Sequence, residues 1–269
     1  MTSAELEKEL GGFLKEQSGL KVDLENPEFR IYVEWMKSNV FVYGNKIQAS
    51  GGLPIGTGGE VLCLLSGGID SPVASYCMMK RGCSPLFIHF HSFPFTDKVS
   101  QRKVVDLARM LCRYRCESKI YLVPFADLQK EIVVSSPAAY RVVLYRRIMF
   151  KIAQEVAFLE KAKALVTGES LSQVASQTLS NLCTIQSCVS LPVLRPLIAM
   201  DKKEIVHIAR RIGTFPLSIE PHGDCCSFLL PRHPKTRSSR NLLENIEKKM
   251  EMEGLIKKSL GEMTCESLR

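Results

Sequence analysis

The 269-residue chain is 45% hydrophobic and 24% charged, the balance of a folded globular protein, and it holds no apolar run long enough to span a bilayer. Its first ten residues, MTSAELEKEL, are polar and acidic, which argues against a secretory signal and predicts a cytoplasmic protein. The net charge of +8 is uneven: residues 1–49 hold six basic and eight acidic side chains and the remainder thirty and twenty, so the larger part suits a polyanionic partner such as nucleic acid, or is merely a solvated basic surface.

In chain order, residues 3–18 predict a short helix interrupted at Gly11 and Gly12. FRIYVEWM then alternates, with Ile31, Val33 and Trp35 on one face, and NVFVYGNKI follows with a turn signal at Gly44-Asn45; together they predict two strands of a small sheet. Residues 50–59, SGGLPIGTGG, carry five glycines and a proline and predict a linker or a boundary loop. Beyond them strand and helix alternate. EVLCLL, PLFIHF, KIYLVPF and ALVTGES predict strands, the last with a loop at its end; Pro72–Arg81, Lys98–Arg115, a stretch over residues 138–163 and Lys202–Ile212 predict helices, the last capped by Asp201 and closed by Gly213. Such alternation predicts an α/β protein with a Rossmann-like, doubly wound, mostly parallel sheet over residues 60–240, followed by a basic helical tail over 241–269.

Ten cysteines are present without a CxxC. Cys112 and Cys116 are four apart and Cys183 and Cys188 five apart, poor zinc spacings, so no such metal site is expected; Cys63 in VLCLL and Cys77 in SYCMM read as small core residues.

The stretch LLSGGIDSPVA, residues 64–74, sits where the first strand of the α/β part meets its first helix. In such sheets ligands bind at the carboxyl ends of strands. Gly67 and Gly68 let the backbone turn tightly, the helix start offers N–H groups and a positive dipole end, and Ser66 and Ser71 add hydroxyls. That is an anion site, suited to a nucleotide's phosphates. The alternative is an ordinary glycine turn with Asp70 as a cap. The loop lacks the lysine of GxxxxGK[ST] and the spacing of GxGxxG. Asp70 makes sense beside phosphates if it meets a shared Mg²⁺.

SGGIDS resembles the SGGxDS loop of the PP-loop ATP pyrophosphatases, the adenine nucleotide alpha-hydrolase-like enzymes that adenylate a substrate. GGLPIGTGGEVLCLLSGGIDSPVA, IHFHSFPFT, LVTGESLSQVASQTLSNL, LRPLIAMDKKEIVHIARRIGT and DCCSFLLPRHPKT resemble, in that order, the tRNA 4-thiouridine synthetase family, which is also tied to thiamine thiazole synthesis. Residues 1–49 resemble the end of that family's THUMP RNA-binding domain, and the basic tail stands where some members carry a rhodanese domain. The resemblance implies ATP and Mg²⁺ as cofactors, with ATP held by Leu64, Leu65, Ser66, Gly67, Gly68, Ser71, His89, Phe90, Arg146, Gly168 and Gln177, and with Asp70 on the metal. Phe90 would face the adenine and Gly168 would let the ring approach. On their own, His89 reads by default as a satisfied core histidine, and Arg146 reads equally as part of a solvated helix face.

Cys225 in DCCS aligns with the family's persulfide-carrying cysteine. Arg232, His233, Lys235 and Arg237 follow it and would make its surroundings electropositive. Cys183, Cys188 and Cys226 are candidates for a resolving thiol. Arg232, Lys235 and Arg237, in PRHPKTRSSR, would track an RNA backbone. The activity implied is adenylation of a tRNA uridine, position 8, at C4, then sulfur transfer to give 4-thiouridine. The partners implied are tRNA, a cysteine desulfurase, a sulfur-carrier protein and a second copy of the chain, with no membrane. Another PP-loop adenylating enzyme of the 2-thiouridylase kind, or an RNA-binding remnant without catalysis, remain the alternatives; intact SGGIDS and DCC favour an enzyme.

Overall fold

The computed structural model describes residues 2–47, 49–96, 98–114, 117–221 and 234–268. Its contacts divide the chain into two units, residues 1–50 and 51–269.

The first unit is one helix and one hairpin. Helix α1, Ser3–Ser18, opens on a capping box in which Thr2 and Glu5 bond reciprocally, and it closes at Gly19 in the left-handed conformation, φ 67°. It runs unbroken through Gly11 and Gly12, contrary to expectation: no neighbour lies near either glycine and neither adopts positive φ, so their low helix propensity is outweighed by the caps. Strands β1, Tyr32–Met36, and β2, Asn39–Tyr43, pair antiparallel, with Tyr32 opposite Tyr43 and their rings stacked at 5.3 Å. The chain reverses at residues 37–38, where Lys37 takes φ 51°, and not at Gly44-Asn45.

The second unit is built on a six-stranded sheet. In chain order its elements are β3 (Glu60–Leu64), α2 (Asp70–Lys80), β4 (Ser84–His91), α3 (Lys98–Cys112), β5 (Ser118–Pro124), α4 (Ala126–Ser135), α5 (Arg141–Leu159), β6 (Leu165–Val166), α6 (Leu179–Gln186), β7 (Val193–Leu194), α7 (Lys202–Arg211), α8 (Phe215–Ser218), α9 (Arg240–Glu247), α10 (Met252–Gly261) and β8 (Thr264–Leu268). The spatial order is β7-β6-β3-β4-β5-β8, parallel throughout except for β8 against β5. Strand alternation feeds two cores. Leu62, Ile88 and Val123 face α5, while Cys63, Phe87 and Ile120 face α2 and α3. Burial on both faces is why these strands read as continuous apolar runs.

Several expectations change. The strand ALVTGES keeps only Leu165–Val166, because from Thr167 onward the chain leaves the sheet to border a crevice. The long helix spans residues 141–159; a 3₁₀ turn after Pro137 precedes it, and Lys161 at φ 59° ends the run. Helices α4 and α6 and strand β7 were not anticipated. The tail, expected as helical, ends in β8, whose Leu268 is buried and whose pairing covers the β5 edge. Residues 53–58, expected as linker, lie against the turn after α2: Leu53 N–H bonds Lys80 O at 3.0 Å, and Gly56 and Gly58 N–H both bond Gly82 O at 2.8 Å.

Candidate active site

The strands β3, β4 and β6 end together, and a crevice of about 250 Å³ opens at their carboxyl edge. Leu64, Leu65, Ser66, Gly68, Asp70 and Ser71 border it from β3 and the start of α2; His89 and Phe90 border it from β4. Arg146 reaches it from α5, and Gly168 and Gln177 from the segment after β6. Gly67 lies within the turn between Ser66 and Gly68. The expected nucleotide residues, distant in sequence, are thus brought to one place.

The turn is held by its own serines. Ser66 N–H donates to Ser71 Oγ at 2.8 Å, Ser71 Oγ donates to Ser66 O at 3.2 Å, and Gly68 N–H donates to Ser66 Oγ at 3.3 Å. Helix α2 starts directly at Asp70 with no side-chain cap, so its first N–H groups have no intrahelical partner. Gly168 has a structural requirement of its own: a Cβ there would stand 2.7 Å from Ser71 N and 2.8 Å from Asp70 C, so this glycine lets the β6 segment press on the first turn of α2.

Asp70 sits at the mouth. Lys202 Nζ lies 2.5 Å from its Oδ1, and Gln173 Nε2 donates to its Oδ2 at 3.1 Å. Neither partner was singled out from sequence. Lys202 stands at the first position of α7, directly after the Asp201 cap, and packing of α7 on α2 delivers it.

Arg146 is also paired. Its Nη2 lies 2.5 Å from Glu169 Oε1, Arg195 Nε lies 2.6 Å from Glu169 Oε2, and Thr167 Oγ1 donates to Oε2 at 2.9 Å. Glu169 is 2% exposed. Burial alone would raise its pKa, but the guanidiniums of Arg146 and Arg195 and the hydrogen bonds outweigh that and hold the carboxyl below its ordinary range. Two cations share one carboxylate, so the Arg146–Glu169–Arg195 cluster as a unit carries net positive charge. His89 Nδ1 lies 3.0 Å from Leu65 O, tying the ends of β3 and β4. The Phe90 ring packs edge-to-face on Phe125 at 5.5 Å and is nearly buried, and it joins Ile88, Met149, Val142 and Val174 in the apolar lining of the crevice.

Cys225, Cys226 and Arg232 lie outside the described residues. Lys235 and Arg237 are exposed and do not border the crevice. Of the other thiols considered, Cys188 is held by Arg147 O and Ile185 O and burial pushes its pKa up to about 11, which suits it poorly as a nucleophile; Cys183 is exposed. Among the described residues no group of three or more His, Cys, Asp or Glu gathers. A single carboxylate beside a phosphate-type turn does fit Mg²⁺, which takes one or two carboxylates and draws its other ligands from phosphate and water.

Comparison with known proteins gives a family model described as thiamine biosynthesis protein (ThiI), matching residues 56–252, and a THUMP domain model matching residues 1–45. A probable tRNA sulfurtransferase of Moorella thermoacetica is 46% identical over 97% of the chain and 67% of its own length. One of Alkaliphilus metalliredigens is 46% identical over 100% of the chain and 68% of its own length. A crystal structure of a 4-thiouridine synthetase–RNA complex with bound ATP matches with TM-score 0.89 at 38% identity, covering 100% of this chain and 71% of that one.

Proposed function

The chain belongs to the ThiI family of tRNA sulfurtransferases, and on that premise we propose that its crevice binds ATP, adenylates a tRNA uridine at C4 and passes sulfur to that carbon, giving 4-thiouridine. The observation that carries this reading is the SGGIDS turn, with its two glycines, its serine-held backbone and Asp70 at the end of β3, with Arg146 bordering the same crevice and Lys202 on Asp70.

The N–H groups of the turn and of the first turn of α2 hold the phosphates. Asp70 would hold a magnesium ion, which when bound would neutralise phosphate charge. The Lys202 ammonium, paired with Asp70 at the mouth of the crevice, is placed to meet the charge of the departing pyrophosphate. Arg146, steadied by Glu169, faces the charge that develops at the α-phosphate. The uridine, flipped from its stack, attacks the α-phosphorus through O4; the bond to pyrophosphate breaks and an adenylated uridine remains. The terminal sulfur of a Cys225 persulfide, loaded by a cysteine desulfurase, bonds to C4 and AMP leaves with its electron pair. A second thiol then attacks Cys225 Sγ, the S–S bond breaks and 4-thiouridine is released, leaving a disulfide for a cellular thiol to reduce. Lys235 and Arg237, with Arg232, meet the tRNA backbone. The same persulfide suits the supply of sulfur for a thiamine thiazole.

The test is mass spectrometry of tRNA nucleosides after incubation with ATP, Mg²⁺, a desulfurase and cysteine. Wild type should yield 4-thiouridine, while Asp70→Ala should abolish pyrophosphate release and Cys225→Ser should abolish only the thiolation. Formation of 2-thiouridine, or thiolation that persists in Cys225→Ser, would overturn the assignment.

A further inference from the structure

Two arginines close on Glu169, and only Arg146 borders the crevice. Arg195 comes from behind it. Strand β7 pairs parallel with β6, Val166 opposite Leu194, so the two strands finish side by side. Thr167 N–H bonds Leu194 O at 3.1 Å, and the next residue of each strand's exit brings Arg195 beside Glu169. Arg195 is held closely there. Its Nε lies 2.6 Å from Glu169 Oε2, its Nη1 donates to Gln186 Oε1 at 2.6 Å, and a turn in which Ile198 N–H bonds Arg195 O at 3.1 Å fixes its backbone. Its side chain is 12% exposed, and its buried Nη2 meets no hydrogen-bond partner among the described residues. Arg146 takes the other carboxylate oxygen from α5 and is 22% exposed.

Stability alone does not explain this arrangement. One arginine suffices to neutralise a buried glutamate. The second leaves a positive charge largely shielded from water and a guanidinium donor unpaired, and both oppose folding. An anion in the crevice offsets that cost. Arg146 alone with Glu169 would be a neutral pair with little attraction for phosphate. With Arg195 on the same carboxylate, the charge of Arg146 is left over for the crevice. At the mouth Lys202 and Asp70 already cancel each other, so among these lysine, arginine and acidic side chains the surplus rests on Arg195.

We propose that Arg195 is a positioning residue for adenylation: through Glu169 it fixes the Arg146 guanidinium and leaves that guanidinium's charge free to meet the phosphates. It touches no substrate. The inference rests on the ATP-adenylating reading, so its test has one readout that needs tRNA chemistry and one that does not.

The variants are Arg195→Met, Arg195→Lys and the double change Arg195→Met with Glu169→Gln, in the full chain, each checked for folding by its thermal melt. Arg195→Met leaves Arg146 and Glu169 as a neutral pair. The double change removes one charge of each sign and returns the cluster to its wild-type net charge with fewer hydrogen bonds. Calorimetry with ATP and Mg²⁺ should show Arg195→Met binding about tenfold more weakly, and kcat for tRNA-dependent pyrophosphate release should fall by about a hundredfold, the scale of losing one preorganised charge contact. The double variant should recover most of both losses; a residue that merely braces the fold would give the opposite order. Arg195→Lys keeps the charge without the fork and should bind ATP within about threefold of wild type. Unchanged ATP affinity and kcat in Arg195→Met, or a folded double variant no better than Arg195→Met, would overturn the proposal. If the double variant does not fold, Arg195→Lys decides, and ATP affinity as weak as that of Arg195→Met would overturn it. If wild type binds ATP but modifies no tRNA, the parent reading fails by itself and the ATP affinities still decide the role of Arg195.

Discussion

At Gly168 the absence of one carbon sets the distance between two segments. A Cβ would meet Ser71 N at 2.7 Å and Ser71 Cα at 2.9 Å, both backbone atoms that cannot rotate aside. Gly168→Ala should therefore push the first turn of α2 away from β6, cost about 1–3 kcal/mol in denaturant unfolding, as overpacking does, and weaken ATP binding measured by calorimetry. Unchanged ATP affinity would mean the phosphate turn tolerates the shift. His91 gives a second single-residue test. Burial first, and the neighbouring His89 second, push its pKa from 6.5 down to about 4. The unfolded chain thus takes up the proton before the folded one does. The contribution of this neutral imidazole is complete above about pH 6.5 and is lost as pH falls toward 4. His91→Gln should flatten the stability profile in that window alone; an unaltered slope would show that the imidazole protonates as readily in the folded chain.

Helix α9 is held to α5 by charge in the core. Arg147 is 1% exposed; its Nε lies 2.5 Å from Glu247 Oε1 and its Nη1 donates to Thr184 O at 2.5 Å, while Lys151 Nζ lies 2.8 Å from Glu247 Oε2. Removing the carboxylate strands a buried guanidinium, so Glu247→Ala should cost about 3–5 kcal/mol, whereas the double change Arg147→Met with Glu247→Leu should cost far less. Equal losses would place the effect in packing volume. The same pair marks a limit of sequence reading. In YRRIMFK the two arginines look alike, and only the turn of α5 on its neighbours sends Arg146 to the crevice and Arg147 into the core. Strands β3, β4 and β5 were legible because both faces are buried and each carries an unbroken apolar run, Val61–Leu64, Leu86–Ile88 and Ile120–Val123. Two-residue β7 is too short to carry a period, and two-residue β6 was legible only through its apolar run in ALV. β8, TCESL, reads as polar because four of its five residues are at least partly exposed on an edge strand. The phosphate turn was legible because its chemistry is contiguous, and Lys202, Glu169 and Arg195 were not, because tertiary packing alone brings them to it.

Across the whole molecule, charge separates what the two parts can do in solution. Residues 1–49 carry more acidic than basic side chains, and the basic excess lies wholly in the remainder, thirty against twenty. If that excess serves an RNA partner, binding is driven by release of counterions, and log Kd must vary linearly with log salt. Lys235 and Arg237 are exposed, and neither borders the crevice. Replacing both with alanine should therefore leave ATP binding untouched, weaken tRNA binding across sequences, and reduce the salt slope by about two, one for each phosphate that is no longer neutralised. The measurement is filter binding or fluorescence anisotropy of full-length tRNA from low to moderate salt, with ATP calorimetry alongside. A slope that stays the same while affinity falls would mean the two side chains act on folding or on base recognition. A slope and affinity that both stay the same would move the RNA-binding charge to another face of the basic unit.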